Sequence, residues 1–187
     1  MARKKQYKEE EVIEKAMQLF WRNGYEDTSM QMLENEMGIN KFSIYASFGN
    51  KQGVFLECLK SYQKRTKDIF EDFQNATNGP ESIKDFFYAS VYICDRKGNQ
   101  KGCLVTNTYQ EFFEKDDALI NNQMIEFMAN LKNLFIAKLK MDLTKSDETV
   151  AREANFLLLA KHGLASASKV NSKKEIADFI EMTFKNI

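Results

Sequence analysis

Side chains able to contact base edges and phosphates cluster between Thr28 and Lys51, in the segment TSMQMLENEMGINKFSIYASFGNK. Its apolar residues follow helical spacing on both sides of Gly38, which predicts two short helices joined by a tight glycine turn. A third helix is expected to begin near Lys51. Two short helices joined at a steep angle place the second one in the major groove of DNA. The spacing therefore indicates an element that reads DNA.

The outer side of the second short helix carries side chains suited to such contacts. A lysine contacts guanine edges or phosphate, a serine hydrogen-bonds to either, and an apolar side chain contacts the methyl group of thymine. The free N–H groups at the start of the next helix attract phosphate. A basic N-terminal arm is expected to enter the minor groove or to follow the backbone. The residues expected to bind DNA on these grounds are Lys4, Lys5, Asn40, Lys41, Phe42, Ser43, Ala46, Ser47 and Lys51.

Composition restricts the class of protein. The 187 residues include one proline and eight glycines, which favours long helices over many short strands. No apolar run reaches the ~18 residues that span a bilayer, and the N-terminus lacks the apolar core of a secretion signal, so a cytoplasmic protein is expected. Three widely spaced cysteines indicate reduced thiols, and one histidine cannot build a histidine-rich metal site. The net charge of zero permits DNA binding only through local basic regions.

Helical periodicity divides the chain by helix size. Residues 1–48 hold three short helices, the first from Glu9 to Asn23, and residues 49–187 hold about six more. The fourth helix links the two parts and ends before Asn78-Gly79-Pro80. The predicted fold is all-α, with an N-terminal helix-turn-helix DNA-binding domain at 1–48 and a larger helical domain at 49–187. The expected N-caps of the second, third and fourth helices are Thr28 (in a capping box with Gln31), Asn40 and Asn50.

The first three helices carry a spaced set of residues, namely Phe20, Gly24, Thr28-Ser29, Leu33, Gly38-Ile39-Asn40, Ile44-Tyr45, Phe48 and Lys51. This set resembles the DNA-binding domain of the tetracycline-repressor (TetR) family of bacterial transcription regulators, over roughly Val12 to Leu56. The resemblance implies a homodimeric repressor whose larger domain encloses a small-molecule effector. It also implies that Tyr45 and Thr28 contact phosphate. Glu34 and Phe42 stand where the family often has small residues.

The larger domain is rich in aromatic residues, and the resemblance implies that it binds an effector. Aromatic and methionine side chains with a few polar groups can line an apolar pocket, whereas the same residues at helical spacing also form ordinary core. A mostly apolar or aromatic effector is expected. Gly102-Cys103-Leu104-Val105 resembles a segment of a subgroup with electrophile-sensing members, so Cys103 is either a reactive thiol or an inert buried one. The expected pocket residues are Phe86, Phe87, Tyr92, Cys103, Asn107, Tyr109, Phe112, Met124, Phe127 and Met128.

The last two helices are expected to form a dimer interface. Small residues from Gly163 to Ser168 let another helix approach closely, and the last helix adds apolar surface. Two helices from each of two chains then form a four-helix bundle on a two-fold axis, which presents recognition helices to half-sites ~34–36 Å apart. The alternative is that these helices only cover their own core. The expected interface residues are Leu158, His162, Ala165, Ile176, Phe179, Ile180 and Phe184.

The expected function is that of a ligand-responsive repressor of a double-stranded DNA operator, with no catalytic residue, cofactor or metal. One alternative is an all-helical small-molecule-binding protein or enzyme with a structural N-terminal bundle. The chain offers that alternative no Gly-rich phosphate loop after a strand, no metal-ligand cluster and no supported catalytic set. A second alternative is a DNA-binding adaptor that responds to a protein partner.

Overall fold

The computed structural model describes residues 7–94, 101–113, 115, 117–185 and 187. Within those residues the chain forms nine α-helices and no β-strand, which confirms the predicted all-α fold. The helices are α1 (Glu9–Asn23), α2 (Met30–Met37), α3 (Lys41–Phe48), α4 (Lys51–Asn75), α5 (Glu81–Cys94), α6 (Leu104–Phe112), α7 (Ala118–Leu139), α8 (Asp147–Ala167) and α9 (Lys173–Thr183).

The chain divides into two compact units, Met1–Arg65 and Thr66–Ile187, so that α4 contributes to both. The first unit contains the short helices α2 and α3, and the second contains α5 to α9. The limits of 1–48 for a DNA-binding domain and 49–187 for an effector domain stay a prediction.

The core of the first unit is formed by apolar residues at helical spacing. On α1, Val12, Ala16 and Phe20 are buried, and the Phe20 ring packs edge-to-face on Phe55 of α4 with the ring centroids 4.9 Å apart. Leu33 of α2 and Ile44 of α3 are fully buried, and their burial leaves the opposite side of each short helix outside the core. Because the apolar sides of α1, α2 and α3 are buried in this core, they determine which side of α3 stays exposed to a partner. 

The second unit has an aromatic core. Phe73, Phe86, Phe87 and Phe135 are buried together with Leu157 and Leu164 of α8 and with Ile176 and Ile180 of α9. Lys138 on α7 is also buried, and its ammonium donates to the carbonyl oxygens of Gln74 (2.9 Å) and Ala76 at the end of α4. A cation at that position complements the negative C-terminal end of a helix. Lys138 is thus a structural lysine whose charge is matched within the unit.

None of the helices in the described part of the chain is long and apolar enough to cross a membrane.

Candidate nucleic-acid interface

The turn between α2 and α3 depends on a glycine and on two side-chain caps. Gly38 ends α2 with φ +70°, a left-handed conformation that glycine adopts without steric strain. The Asn40 carboxamide oxygen accepts the N–H of Ser43 at 2.8 Å, which confirms the predicted N-cap of α3. The predicted cap of α4 is present as well, because Asn50 accepts the N–H of Gly53 at 2.8 Å. Local sequence thus sets the start of both helices.

Glu34 provides a further contact at the start of α3 that sequence reasoning missed. Its carboxylate accepts the backbone N–H of Lys41, the first residue of α3, at 3.0 Å. A carboxylate is favourable there because the first N–H groups of a helix lack partners within the helix and carry partial positive charge. Glu34 therefore ties α2 to the N-terminus of α3. No helical period connects two residues seven positions apart across a turn, so only the structure reveals this contact.

One side of α3 is exposed and carries the side chains predicted to read DNA. Phe42 is 81% exposed and Tyr45 is 45% exposed, and Lys41 and Ala46 are exposed beside them. We call these four residues the recognition surface. The Lys41 ammonium lies 6.0 Å from the centre of the Tyr45 ring, so the surface offers a cation, a phenol hydroxyl and an apolar ring within a short span. These are groups that contact guanine, phosphate and the thymine methyl group.

Tyr7 fastens the residues before α1 to α3. Its hydroxyl lies 2.6 Å from the hydroxyl oxygen of Ser47 and donates weakly to the carbonyl oxygen of Ser43 at 3.4 Å. Ser43 and Ser47 are half-buried, so these two predicted DNA contacts have only part of their surface available. The basic residues Lys4 and Lys5 lie outside the described residues. Tyr7 itself was not predicted from the sequence, because nothing local links it to a residue forty positions away.

The roles predicted for Thr28 as a cap and as a phosphate contact are wrong. Thr28 is fully buried and its hydroxyl donates to the carbonyl oxygen of Gly24 at 2.6 Å. The N-cap of α2 is Ser29, whose hydroxyl accepts the N–H of Met32 at 3.2 Å. The helix begins one residue later than expected, so Gln31 does not complete a capping box. Adjacent Thr and Ser residues satisfy the same cap pattern, and burial decides between them.

Lys51 does not present a free ammonium for phosphate. Its ammonium donates to the carbonyl oxygens of Tyr25 (2.9 Å) and Glu26 (3.5 Å), and lies 4.2 Å from the centre of the Tyr25 ring. These contacts connect the start of α4 with the loop between α1 and α2. Two of the three donors of the ammonium are thus used within the unit, which gives Lys51 a structural role, and a phosphate contact by Lys51 stays a prediction.

Half of the ten residues predicted for an effector pocket are buried in the second unit. Phe86, Phe87, Phe112, Met124 and Met128 are buried, and Tyr92 is at the other extreme, 71% exposed. Cys103, Asn107, Tyr109 and Phe127 are half-buried. These last four are the ones whose surfaces remain partly accessible, and they stay a prediction as ligand contacts.

Two of these half-buried side chains have informative contacts. The Asn107 amide nitrogen donates to the carbonyl oxygen of Lys101 at 3.0 Å, whereas its buried carboxamide oxygen has no hydrogen-bond partner among the described residues. The Tyr109 ring lies 6.0 Å from the ring of His162, measured between centroids. An unsatisfied buried acceptor is unfavourable, so Asn107 is a position where a donor from outside the unit would be stabilising.

A groove of about 490 Å³ lies in the first unit, between α1 and α4, and none of the predicted pocket residues lines it. Ion pairs occupy it: Lys60 pairs with Glu57, Lys64 with Glu10, and Arg65 with Glu14. Because these charges neutralise one another, the groove offers no concentrated charge for a ligand.

The residues predicted for a dimer interface divide into two groups. Ala165, Ile176 and Ile180 are buried in the core of their own unit, and the Phe184 ring packs edge-to-face on Phe87 with the centroids 5.0 Å apart. Leu158 and His162 are half-buried, and Phe179 is exposed. For α9, most of the residues predicted for the interface therefore lie on the side of the helix that packs into the core of the second unit. The large exposed apolar residues of the two helices are Phe156 and Leu159 on α8 and Phe179 and Met182 on α9, and of these only Phe179 was predicted.

A capped helix pair with a glycine turn and an exposed second helix, followed by a larger all-helical unit, defines a helix-turn-helix DNA-binding protein. Comparison with known proteins gives the family. Residues 12–58 match the model of the bacterial regulatory proteins of the tetR family. Over residues 12–58 the chain carries the DNA-binding domain of the TetR family, and it is a DNA-binding transcriptional regulator rather than an enzyme.

Full-length relatives agree with this assignment. The chain is 26% identical to the uncharacterized HTH-type transcriptional regulator YezE of Bacillus subtilis, over 98% of this chain and 97% of YezE. It is 22% identical to IcaR of Staphylococcus aureus (strain Newman), a negative transcriptional regulator of the biofilm operon icaADBC, over 94% and 98% of the two chains. Its fold is similar to that of a cysteine mutant of the TetR-family regulator CifR complexed with 26-bp operator DNA, with a TM-score of 0.85, 21% identity and 99% of each chain covered.

Proposed function

We propose that this regulator is a homodimeric repressor that binds a two-fold operator and is released from it by a small organic effector. The observation that carries the DNA-binding part is the recognition surface of α3, where Phe42, Lys41 and Tyr45 are exposed while Ile44 holds the opposite side in the core. Phe42 and Tyr45 lie three residues apart on one side of this eight-residue helix, and an exposed aromatic surface of this kind is suited to a partner. Because its partner is chromosomal DNA, we propose a cytoplasmic site of action.

The roles of the recognition surface follow from its chemistry. We propose that Lys41 donates to a guanine edge or to phosphate and that Phe42 contacts a thymine methyl group. Tyr45 then donates its hydroxyl to phosphate, a contact that positions α3 without reading sequence. Ser47 contributes less because its hydroxyl is hydrogen-bonded to Tyr7, and Ser43 contributes less because it is half-buried.

The homodimer is supported by an exposed apolar face on α8 and α9. Phe156, Leu159 and Gly163 recur along one side of α8 at spacings of three and four, and all three are exposed. Phe179 and Met182 are exposed on α9, which packs against α8. Gly163 has open space around the position of a side chain, so a second helix can approach closely there. A two-fold interface uses the same surface on both copies, and an apolar face of this kind can pack against the same face of a second copy.

The release of DNA by a small effector is supported by the half-buried side chains of the second unit. Phe127 and Tyr109 provide apolar surface, and Asn107 provides a buried acceptor with no partner among the described residues. Apolar walls with a few polar groups are the usual composition of a ligand site. We assign this role to the second unit, within the predicted effector domain of residues 49–187.

The test is fluorescence anisotropy with duplexes from the DNA that flanks the gene of this protein. We expect tight binding of one fragment, with an affinity that falls steeply as salt increases because bound counterions are released. Sedimentation equilibrium measures the dimer, and Leu159→Glu together with Met182→Glu should shift it to monomer and weaken operator binding. A salt-independent affinity, or a dimer unaffected by both substitutions, would contradict the proposal.

A further inference from the structure

A lysine occupies the centre of the buried face of α8. Lys161 is 8% exposed, and it continues the stripe of Val150, Ala154, Leu157 and Leu164, which recur at spacings of three, four and seven. Every other member of that stripe is apolar. A charged residue in the middle of such a stripe is rare, since lysine is almost never fully buried unless it is paired.

The charge of Lys161 has no anionic partner in the part of the chain that the structure describes. Its ammonium lies over the ring of Phe86, 6.0 Å from the ring centre, and among the described residues no carboxylate pairs with it and no acceptor takes a hydrogen bond from it. Lys138 is the useful comparison. It is buried to a similar extent, but two carbonyl oxygens accept its protons.

An ammonium group has three donors, and a cation over an aromatic ring leaves them largely unused. Transfer of an unpaired charge out of water is strongly unfavourable, and the penalty is offset only when a counter-charge and hydrogen bonds are supplied. Within this unit the described residues do not supply them. A partner from outside the described residues that carries negative charge would supply both the counter-charge and the hydrogen-bond acceptors.

The surroundings of Lys161 determine what else such a partner contains. The Phe86 ring packs edge-to-face on Phe70, and Phe70 packs in the same way on Phe127, with centroids 5.2 Å and 5.6 Å apart. Phe70 and Phe127 are only partly buried, so both retain apolar surface for a ligand. The neighbouring His162 adds no second charge at neutral pH, because burial and then the charge of Lys161 lower its pKa. One cation beside an aromatic cluster fits one anion on an apolar body.

We infer that the effector is a small organic monoanion, such as a carboxylate or sulfonate on an aromatic or aliphatic body, whose anionic group pairs with the ammonium of Lys161. This inference rests on the proposed function and names the chemical class of its effector. A neutral apolar compound would leave the lysine unpaired, so it would bind more weakly than an anion of the same shape.

The test uses two fluorescent probes with the same ring system. 8-Anilinonaphthalene-1-sulfonate carries a negative charge, and N-phenyl-1-naphthylamine lacks the sulfonate and is neutral. Both are titrated into the full-length protein and into Lys161→Met, Lys161→Arg and Lys67→Met. Lys67 is an exposed lysine of α4, so its substitution changes the net charge equally without touching the α8 stripe.

We expect Lys161→Met to weaken binding of the sulfonate by at least about tenfold, as the loss of a charged hydrogen bond predicts. Lys161→Arg and Lys67→Met should retain it within about threefold, and all four proteins should bind the neutral probe alike. Removal of the unpaired charge should also raise the melting temperature of the free protein by roughly 2–4 °C.

Three results would overturn the inference: no binding of the sulfonate to the unmodified protein, equal losses for both probes in Lys161→Met, or no loss for either. Operator binding in the absence of probe is measured on the same four proteins. If none of them binds operator DNA, the proposed repressor function fails, and the probe titrations still decide the role of Lys161. If all bind DNA and the sulfonate is insensitive to Lys161, only the anionic effector fails.

Discussion

Removal of the Glu34 carboxylate should affect the reading of DNA sequence more than it affects total DNA affinity. The carboxylate accepts one N–H at the first residue of α3, 3.0 Å away, and it is half-buried. A cap of this kind stabilises a helix by about 1 kcal/mol, which includes its interaction with the helix dipole. Loss of 1 kcal/mol corresponds to roughly a fivefold change in an equilibrium constant. Glu34→Ala should therefore lower the melting temperature by roughly 2–4 °C.

The effect on DNA binding has two opposing parts. Loss of a negative charge beside the recognition surface strengthens attraction to any duplex, because the phosphate term does not depend on sequence. Loss of the cap lets the N-terminus of α3 fray, which weakens the contacts of Lys41 and Phe42 with base edges. Glu34→Ala should thus reduce the ratio of specific to nonspecific affinity about fivefold. Glu34→Gln removes the charge but keeps an acceptor, so it should strengthen nonspecific binding and change the ratio little.

Anisotropy titrations with operator and scrambled duplexes at several salt concentrations measure both parts. Glu36→Ala is the matched control, because Glu36 lies on the same helix and is half-buried but pairs with Arg22 of α1. It removes the same charge without touching α3. An equal drop in the affinity ratio for Glu34→Ala and Glu36→Ala would refute the idea that Glu34 positions the recognition helix.

Other predictions follow from single contacts. Lys51→Met should lower thermal stability, because it removes hydrogen bonds to the Tyr25 and Glu26 carbonyl oxygens. The salt dependence of operator affinity should stay unchanged, and a weaker salt dependence would indicate that Lys51 does contact phosphate. Tyr45→Phe should weaken binding to all duplexes about equally, whereas Lys41→Ala should also relax base preference, as measured with a set of operator variants. The pKa of His162 is lowered by burial, so the unfolded chain binds its proton more readily and stability should fall as pH drops below about 6.5. Melting temperatures between pH 5 and 7 should show this decline, and His162→Gln should reduce it.

Local signals in the sequence were sufficient for the helices and for two of the three predicted caps. The stripe of apolar residues in α1 predicts its observed limits, Glu9–Asn23, because helical period and end signals act within a few residues. Asn40 and Asn50 cap the helices that follow them, since each is the only strong cap residue at its position. The prediction that Thr28 caps α2 was wrong because the adjacent Ser29 is an equally good cap residue. The choice depends on burial, which a local pattern does not contain.

Long-range contacts explain most of the remaining differences. Glu34, Tyr7 and Lys51 each bond to a residue that the chain brings close only after folding, so their roles could not be predicted from spacing. The face of α9 is a different case. Its apolar residues lie on more than one side, and sequence reasoning assigned Ile176 and Ile180 to the dimer although they fill the core of their own unit. A helix with two apolar faces needs a structure to separate them.

Lys138 and Lys161 illustrate how much a structure adds to a helical pattern. Each lies in the buried stripe of its helix, and neither was predicted from the sequence. The pattern does not distinguish them, because it contains no information about what the ammonium meets. The end of α4 supplies carbonyl oxygens to Lys138, and its charge is then a stabilising part of the unit. Lys161 meets only an aromatic face among the described residues. A buried cation satisfied by the fold is structural, whereas one that the described residues leave without an acceptor is expected to make the unit more stable when an anion binds beside it.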